Sequence, residues 1–319
     1  MRKDNNACRD LLFGFAIGDA LGVPVEFESR DYLTLNPVSD MISGGSHNQA
    51  LGTFSDDSSL TFCLADAICT SKEQLNLEDI AKKIIEWSEN GYWAVNGKKF
   101  DIGISTENFV HNVLRGMPLL ESGGSDFYDN GNGSLMRIAP LLFYLKDIKN
   151  INERFIWTKK VSSITHGHPI SIIACFYYLE YLREIYYCEI DKFEAYKNLQ
   201  IKLSPLLNQS IETSEFIPLF SRLLQDNIWQ LDASKIKSDG FVISTLEASI
   251  WAFLTTNSYE ESVLKAINLG DDTDTIGAIT GSLSGLFYGF DSIPNEWVNK
   301  LLMKNEIEDL AQRLFNWLK

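Results

Sequence analysis

Glycine recurs at every fourth position in two distant parts of the chain, at Gly14, Gly18 and Gly22 and again at Gly277, Gly281, Gly285 and Gly289. On an α-helix this spacing strips side chains from one face and leaves a smooth ridge. Each glycine costs about 1 kcal/mol of helix stability relative to alanine, so the pattern makes sense where a second backbone approaches closely enough to offset the loss. The spacing predicts two ridged helices in the central layer, each packed tightly against a neighbour. The bland alternative, glycines scattered through turns, predicts no such contact.

Apolar spacing is helical elsewhere too. Leu60, Cys63, Leu64, Ala67 and Ile68 form one stripe, and Ile80, Ile84 and Trp87 form another that Gly91 closes as a C-cap. Pro169 suits a first helical position, with Ile173, Ala174, Tyr177, Tyr181 and Ile185 on one face after it. Ser258 and Glu261 have the spacing of a capping box, opening a helix expected to end at Gly270. Alternating strand patterns are scarce, so the chain reads as all-α. The pattern is weakest over residues 188–239, the expected place for variable insertion.

Composition narrows the partners. A net charge of −15 over 319 residues argues against a nucleic-acid backbone or an anionic membrane surface, both of which need a basic face. The apolar stretch at residues 11–17 follows Arg2 and Lys3, but Asp10 and Asp19 bound it too closely for a signal peptide. No run reaches the roughly 18 apolar residues that a membrane span needs. Five cysteines without a C-x-x-C pair suit reduced thiols acting as small core residues. A cytoplasmic monomer is the expectation.

Two acidic clusters carry the chemistry. One reads Ser55-Asp56-Asp57 and the other Asp271-Asp272-Thr273-Asp274-Thr275, and an apolar run follows each. Either one alone could be a helix N-cap with extra carboxylates favouring the dipole. Capping explains one or two acidic residues, not the whole run 272–275 matched by a second cluster near the other end of the chain. Carboxylates this close repel unless a cation sits between them, and oxygen donors suit a hard divalent ion. Brought together, the clusters would supply about six oxygen ligands, enough for two Mg²⁺ or Mn²⁺ ions with positions open to water and substrate.

Four weaker segments lie between or beside them. Glu26 follows a helix-like run, and Asp101 sits between apolar residues in Phe100-Asp101-Ile102-Gly103. Asn130-Gly131-Asn132-Gly133-Ser134 is a glycine-rich turn of the kind whose backbone N–H groups cradle phosphate oxygens. Thr165-His166-Gly167-His168 precedes a helix, where a histidine could donate to a phosphate or sugar. Zinc is disfavoured there, because no cysteine or further histidine lies at usable spacing; His47 and His111 look unrelated to the pair.

In this order the segments resemble the ADP-ribosylglycohydrolase family, on residues 14–27, 52–68, 100–106, 130–141, 163–166 and 268–289. The resemblance implies a single compact orthogonal multi-helix bundle over residues 1–319, with a central binuclear metal cleft. It implies Ser55, Asp56, Asp57, Asp272, Asp274 and Thr275 as ligands to two Mg²⁺ or Mn²⁺ ions. It also implies Glu26 and Asp101 as the acid–base carboxylates, and Asn132, Gly133, Ser134 and His166 as substrate contacts. The implied activity is hydrolysis of an N- or O-glycosidic bond at ribose C1″ of an ADP-ribosylated protein or other conjugate. Two positions depart from the family pattern. Ser55 replaces the usual Thr and keeps a hydroxyl. Asp271 replaces the usual Gly, adding a carboxylate that either borders the metals or caps the next helix. Because the protein is acidic, ligand phosphates would be held by the metals, the turn and Arg137. The rim reading the aglycone is expected in residues 92–99 and 121–128. The alternatives are a silent ADP-ribose binder and a Mg²⁺-dependent isoprenoid synthase, although Ser58, Ser59 and Leu60 after Asp57 depart from the synthase pattern.

Overall fold

A computed structural model of the chain describes residues 4–71, 74–187, 191–209 and 213–319. Its helices are Asp4–Gly22 (α1), Arg30–Leu35 (α2), Asp56–Thr70 (α3), Leu77–Asn90 (α4), Ile104–Leu114 (α5), Leu141–Leu145 (α6), Ile151–Ser162 (α7), Pro169–Tyr187 (α8), Lys192–Gln209 (α9), Ser221–Leu224 (α10), Val242–Leu254 (α11), Tyr259–Ile267 (α12), Thr273–Tyr288 (α13), Asn295–Lys300 (α14) and Lys304–Trp317 (α15). Among the described residues, β structure is confined to three isolated bridges. The fold is all-α, and no described helix is long and apolar enough to cross a membrane.

The two glycine ridges meet each other. α1 and α13 run antiparallel, with Gly14 against Gly281 and Gly285, Gly18 against Gly277, and Gly22 against the backbone of Asp274. A methyl carbon added at Gly277 would stand 2.5 Å from the carbonyl oxygen of Gly18, which no real contact tolerates. A hydrogen bond crosses the same seam, from Thr273 Oγ1 to the Gly22 carbonyl at 2.8 Å, and Tyr259 Oη of α12 donates to the Gly14 carbonyl at 2.7 Å beside it. α12, α11 and α8 cover α13, while α15 and α3 cover α1, so the seam lies at the centre. Gly289 is the exception: it ends α13 at φ 91° and takes no part in the ridge.

Local signals explain most helix ends. Asn76 caps α4 by accepting from the Glu78 amide at 2.9 Å, and Gly91 closes that helix in the left-handed region at φ 69°. Ser258 Oγ accepts from the Glu261 amide at 3.1 Å, while the Glu261 carboxylate reaches one residue further back, to the Asn257 amide at 2.9 Å. α12 stops at Ile267, where three-residue turn bonds from the Leu269 and Gly270 amides to the Ala266 and Ile267 carbonyls carry the chain to Gly270 at φ 79°. α9 lies in the stretch with the weakest pattern. Its buried stripe of Tyr196, Leu199, Leu203 and Leu207 packs on α8, and Pro205 sits on its exposed side within the helix.

Asp66 of α3 ties three elements together, pairing with Lys83 of α4, the Tyr92 hydroxyl at 2.5 Å and Arg313 of α15. Cys8, Cys63 and Cys175 are buried as expected. Cys69, near the end of α3, is only half-buried and packs against the edge of the core, and Cys188 lies outside the described residues.

Candidate active site where the acidic clusters meet

The antiparallel seam places the end of α1 beside the start of α13, which carries the second acidic cluster. Asp19, one turn from the end of α1, fixes the first. Its carboxylate accepts from the Ser55 amide at 2.9 Å, the Ser58 amide at 2.9 Å and the Ser58 hydroxyl at 2.6 Å. The N-terminus of α3 is thereby held against α1, and the clusters meet. Thr275 Oγ1 lies 3.4 Å from Asp57 Oδ2, and Ser55 Oγ lies 3.2 Å from the same oxygen. Glu26, just beyond α1, has a carboxylate oxygen within 4.8 Å of oxygens from Asp272 and Asp274. Glu26, Asp101 and His47 form a second group of the same tightness.

The carboxylates have little basic company beyond His47, which pairs with Glu26. No lysine or arginine lines the cleft among the described residues. Burial pushes the Glu26 carboxyl up to about 10, reinforced by the charges of Asp101, Asp272, Asp57 and Asp19. Burial pushes Asp19 up to about 6 against the hydrogen bonds that stabilise its charge. Asp56, Asp57, Asp272 and Asp274 are also raised, first by burial. Asp57 Oδ1 and Asp274 Oδ2 are buried with no hydrogen-bond partner among the described residues. Orphaned carboxylate oxygens flanked by Ser and Thr hydroxyls fit an oxygen-seeking divalent cation.

The opposite wall of this cleft, about 280 Å³ in volume, contains Gly131, Asn132, Gly133 and His166. Asn132 is pinned by its backbone to Gly240, and its amide donates to Asp272 Oδ2 at 2.6 Å. Its side chain therefore orients a carboxylate of the acidic cluster. The turn is anchored from behind by Asn130, whose Oδ1 accepts from the Ser171 hydroxyl at 2.8 Å and whose carbonyl accepts from the Val242 amide at 3.1 Å. Asp101 takes a positive φ of 51° at the edge of the cleft, and Phe27, next to Glu26, takes one of 67°.

Several expectations need correcting. The Ser134 hydroxyl points into the core, accepting from Ser162 Oγ at 3.0 Å with Cys175 Sγ at 3.4 Å, so it does not line the cleft. Arg137 is buried too, donating to the Val161 carbonyl and Thr165 Oγ1, and cannot reach a ligand phosphate. His168 is turned toward the start of α8, where Nδ1 accepts from the Ile170 amide at 3.2 Å. Asp271 neither borders the cluster nor caps α13. It occupies the left-handed region at φ 60°, as a glycine would, and its exposed carboxylate accepts from Ser238 Oγ. Of the expected rim, Tyr128 lines the cleft, but residues 92–99 do not; Ile104 and Ser105 do instead. Sequence reading missed Asp19, His47 and Thr106. His47 Nε2 pairs with Glu26 Oε2 between the rings of Phe27 and Phe100. Thr106 Oγ1 faces the cleft without a partner among the described residues.

An all-α fold whose cleft gathers acidic and hydroxyl oxygens from both ends of the chain defines one class of protein. The profile of the ADP-ribosylglycohydrolase family matches residues 2–318, and the chain belongs to that family: it is an ADP-ribosyl hydrolase, an enzyme that reverses ADP-ribosylation. Among its relatives is the ADP-ribosylarginine hydrolase Tri1 of Serratia proteamaculans, 32% identical over 317 residues, covering 95% of this chain and 77% of that protein. The ADP-ribosyl-[dinitrogen reductase] glycohydrolase of Rhodospirillum rubrum is 25% identical over 301 residues, covering 92% of this chain and 90% of the relative. A solved ADP-ribosylglycohydrolase-related protein complex superposes over 100% of both chains with a TM-score of 0.79 at 26% identity. Family membership removes the isoprenoid synthase alternative.

Proposed function

We propose that this protein hydrolyses the glycosidic bond at ribose C1″ of an ADP-ribosylated protein, using two Mg²⁺ or Mn²⁺ ions held by Ser55, Asp56, Asp57, Asp272, Asp274 and Thr275. The observation that carries the reading is the approach of Thr275 to Asp57 across the chain, with orphaned carboxylate oxygens on both sides of the seam. Such ions, when bound, supply the positive charge that orders the ribose hydroxyls and acidifies a water. Around them the chain's own groups divide the work. Glu26 and Asp101 handle the proton. Both carboxyls are raised first by burial, and at Asp101 the nearby His47, then a hydrogen bond with Glu26, partly offset the rise. A hydrogen-bonded carboxyl pair of this kind can share a proton, passing it to a leaving group or taking it from water. His47 keeps Glu26 facing the cleft. Asn132 orients Asp272, and the backbone of the Asn132–Ser134 turn, with His166, receives the diphosphate. Ile104 and Tyr128, both largely exposed, form the lip against which the modified side chain rests.

The names of the first relatives favour an arginine linkage, and a cleft lined by carboxylates suits a guanidinium leaving group. The reading also takes the chain as one domain, a monomer, in the cytoplasm. It is tested with arginine-, serine- and nucleic-acid-linked ADP-ribosyl substrates, each with Mg²⁺ or with EDTA. Metal-dependent release of ADP-ribose that Asp56→Ala and Asp272→Ala abolish is expected. Activity surviving both substitutions would contradict it, and binding of ADP-ribose without any release would favour the silent-binder alternative.

A further inference from the structure

Behind the glycine turn lies a buried array that the chemistry above does not use. Arg137 Nη2 donates to Thr165 Oγ1 at 2.9 Å and to the Val161 carbonyl at 3.0 Å. Thr165 Oγ1 in turn lies 2.7 Å from His166 Nδ1. Arg137, Thr165 and His166 are all essentially inaccessible to solvent. A guanidinium only donates, so the Thr165 oxygen accepts from it, and the threonine's own proton needs an acceptor. His166 Nδ1 is the acceptor the array offers. If Nδ1 carried a proton, two donors would face one oxygen and the hydroxyl proton would be buried unpaired, which is costly. An imidazolium fails for the same reason, and it would also face the positive Arg137. Burial, and then Arg137, push His166 down to about 3.

We infer that Arg137 and Thr165 are positioning residues that lock His166 as a neutral imidazole with its proton on Nε2, so that it meets the ligand as a fixed hydrogen-bond donor to an acceptor oxygen. The ring is placed for this. Its Nε2 edge lies over Gly133 on the cleft wall, where a methyl group would stand 2.8 Å from Cε1 and 3.2 Å from Nε2. Arg137 Nε and Nη1 have no partner among the described residues, and no carboxylate neutralises the guanidinium, so its positive charge stays on this side of the ring. A fixed N–H donor needs an acceptor oxygen, such as one of the diphosphate, and in identifying that ligand the inference rests on the function proposed above.

The test reads the imidazole nitrogens directly. With only four histidines in the chain, a long-range ¹H–¹⁵N correlation spectrum of ¹⁵N-histidine protein, assigned by His166→Asn, isolates the ring. The wild type is expected to show the neutral Nε2–H form across about pH 6 to 8. Thr165→Val should redistribute the proton between the nitrogens and weaken ADP-ribose binding roughly tenfold, and Thr165→Ser should restore both. A wild-type His166 protonated on Nδ1, or charged at pH 6, overturns the inference even if Thr165→Val fails to fold. So does an unchanged spectrum in Thr165→Val. The expected tautomer without any ADP-ribose binding upholds the lock and sinks the functional reading; hydrolysis with the proton on Nδ1 does the reverse.

Discussion

Asp57 has one oxygen shared between the Ser55 and Thr275 hydroxyls and another buried without a partner among the described residues. Free of a cation, its charge adds to the mutual repulsion of the buried carboxylates around it. Asp57→Asn keeps the shape and removes that charge. Hydrolysis should fall at least about a hundredfold, while the Tm in EDTA rises by something on the order of 2 °C. Turnover assays and calorimetry on the same preparation check both halves, and a lower Tm would contradict the account of the cluster. His47→Ala should lower kcat roughly ten- to a hundredfold by freeing Glu26 from its place; an unchanged kcat would show that Glu26 is held without it. Residues that announce themselves by clustering, such as Asp56 with Asp57 and Asp272 with Asp274, were legible in the sequence. Asp19 and His47 were not, because each is a lone side chain whose partner comes from a distant segment. Arg137 was misplaced, and the inward aim of the Ser134 hydroxyl was not legible, because the direction in which a turn presents its side chains is set by packing behind it, here by Cys175, Ser162 and Thr165.

Helices α1 and α13 act as one element. Gly18→Ala would gain about 1 kcal/mol of helix propensity, yet its methyl group would overlap the Gly277 carbonyl. Overpacking should win, giving a net loss of about 2 kcal/mol or more in chemical denaturation; a stabilised variant would show that the seam is loose. The Asp66 junction predicts a pH effect at the same scale. Burial alone would raise the Asp66 carboxyl, but Lys83, Tyr92 and Arg313 together hold it below its ordinary value. A carboxyl depressed in the folded state stabilises above its unfolded pKa, near 4, and that contribution is lost as pH falls through the folded value. The stability gap between wild type and Asp66→Asn should therefore be open at about pH 6 and close as the pH drops below about 4. A gap that widens in acid would refute the junction's role. Helix positions followed from periodicity, and the glycine spacing anticipated close packing. That the two ridges pack on each other was not written in either one alone, since any smooth partner would satisfy each.

On the scale of the whole molecule, the chain brings segments from near its two ends to one acidic cleft. The arrangement is physical: the glycine seam joins α1 to α13, Asp19 holds α3 against α1, and the carboxylates are left facing one another with no lysine or arginine among the described lining residues. Divalent cation binding should therefore stabilise the fold, with a Tm that rises with Mg²⁺ concentration and falls back on chelation. The sharpest check is anomalous diffraction at the manganese edge from crystals soaked in Mn²⁺. The account predicts density between Ser55–Asp57 and Asp272–Thr275, absent from an Asp57→Ala, Asp274→Ala double variant. A fully ordered cleft with no anomalous peak at millimolar Mn²⁺ would contradict it.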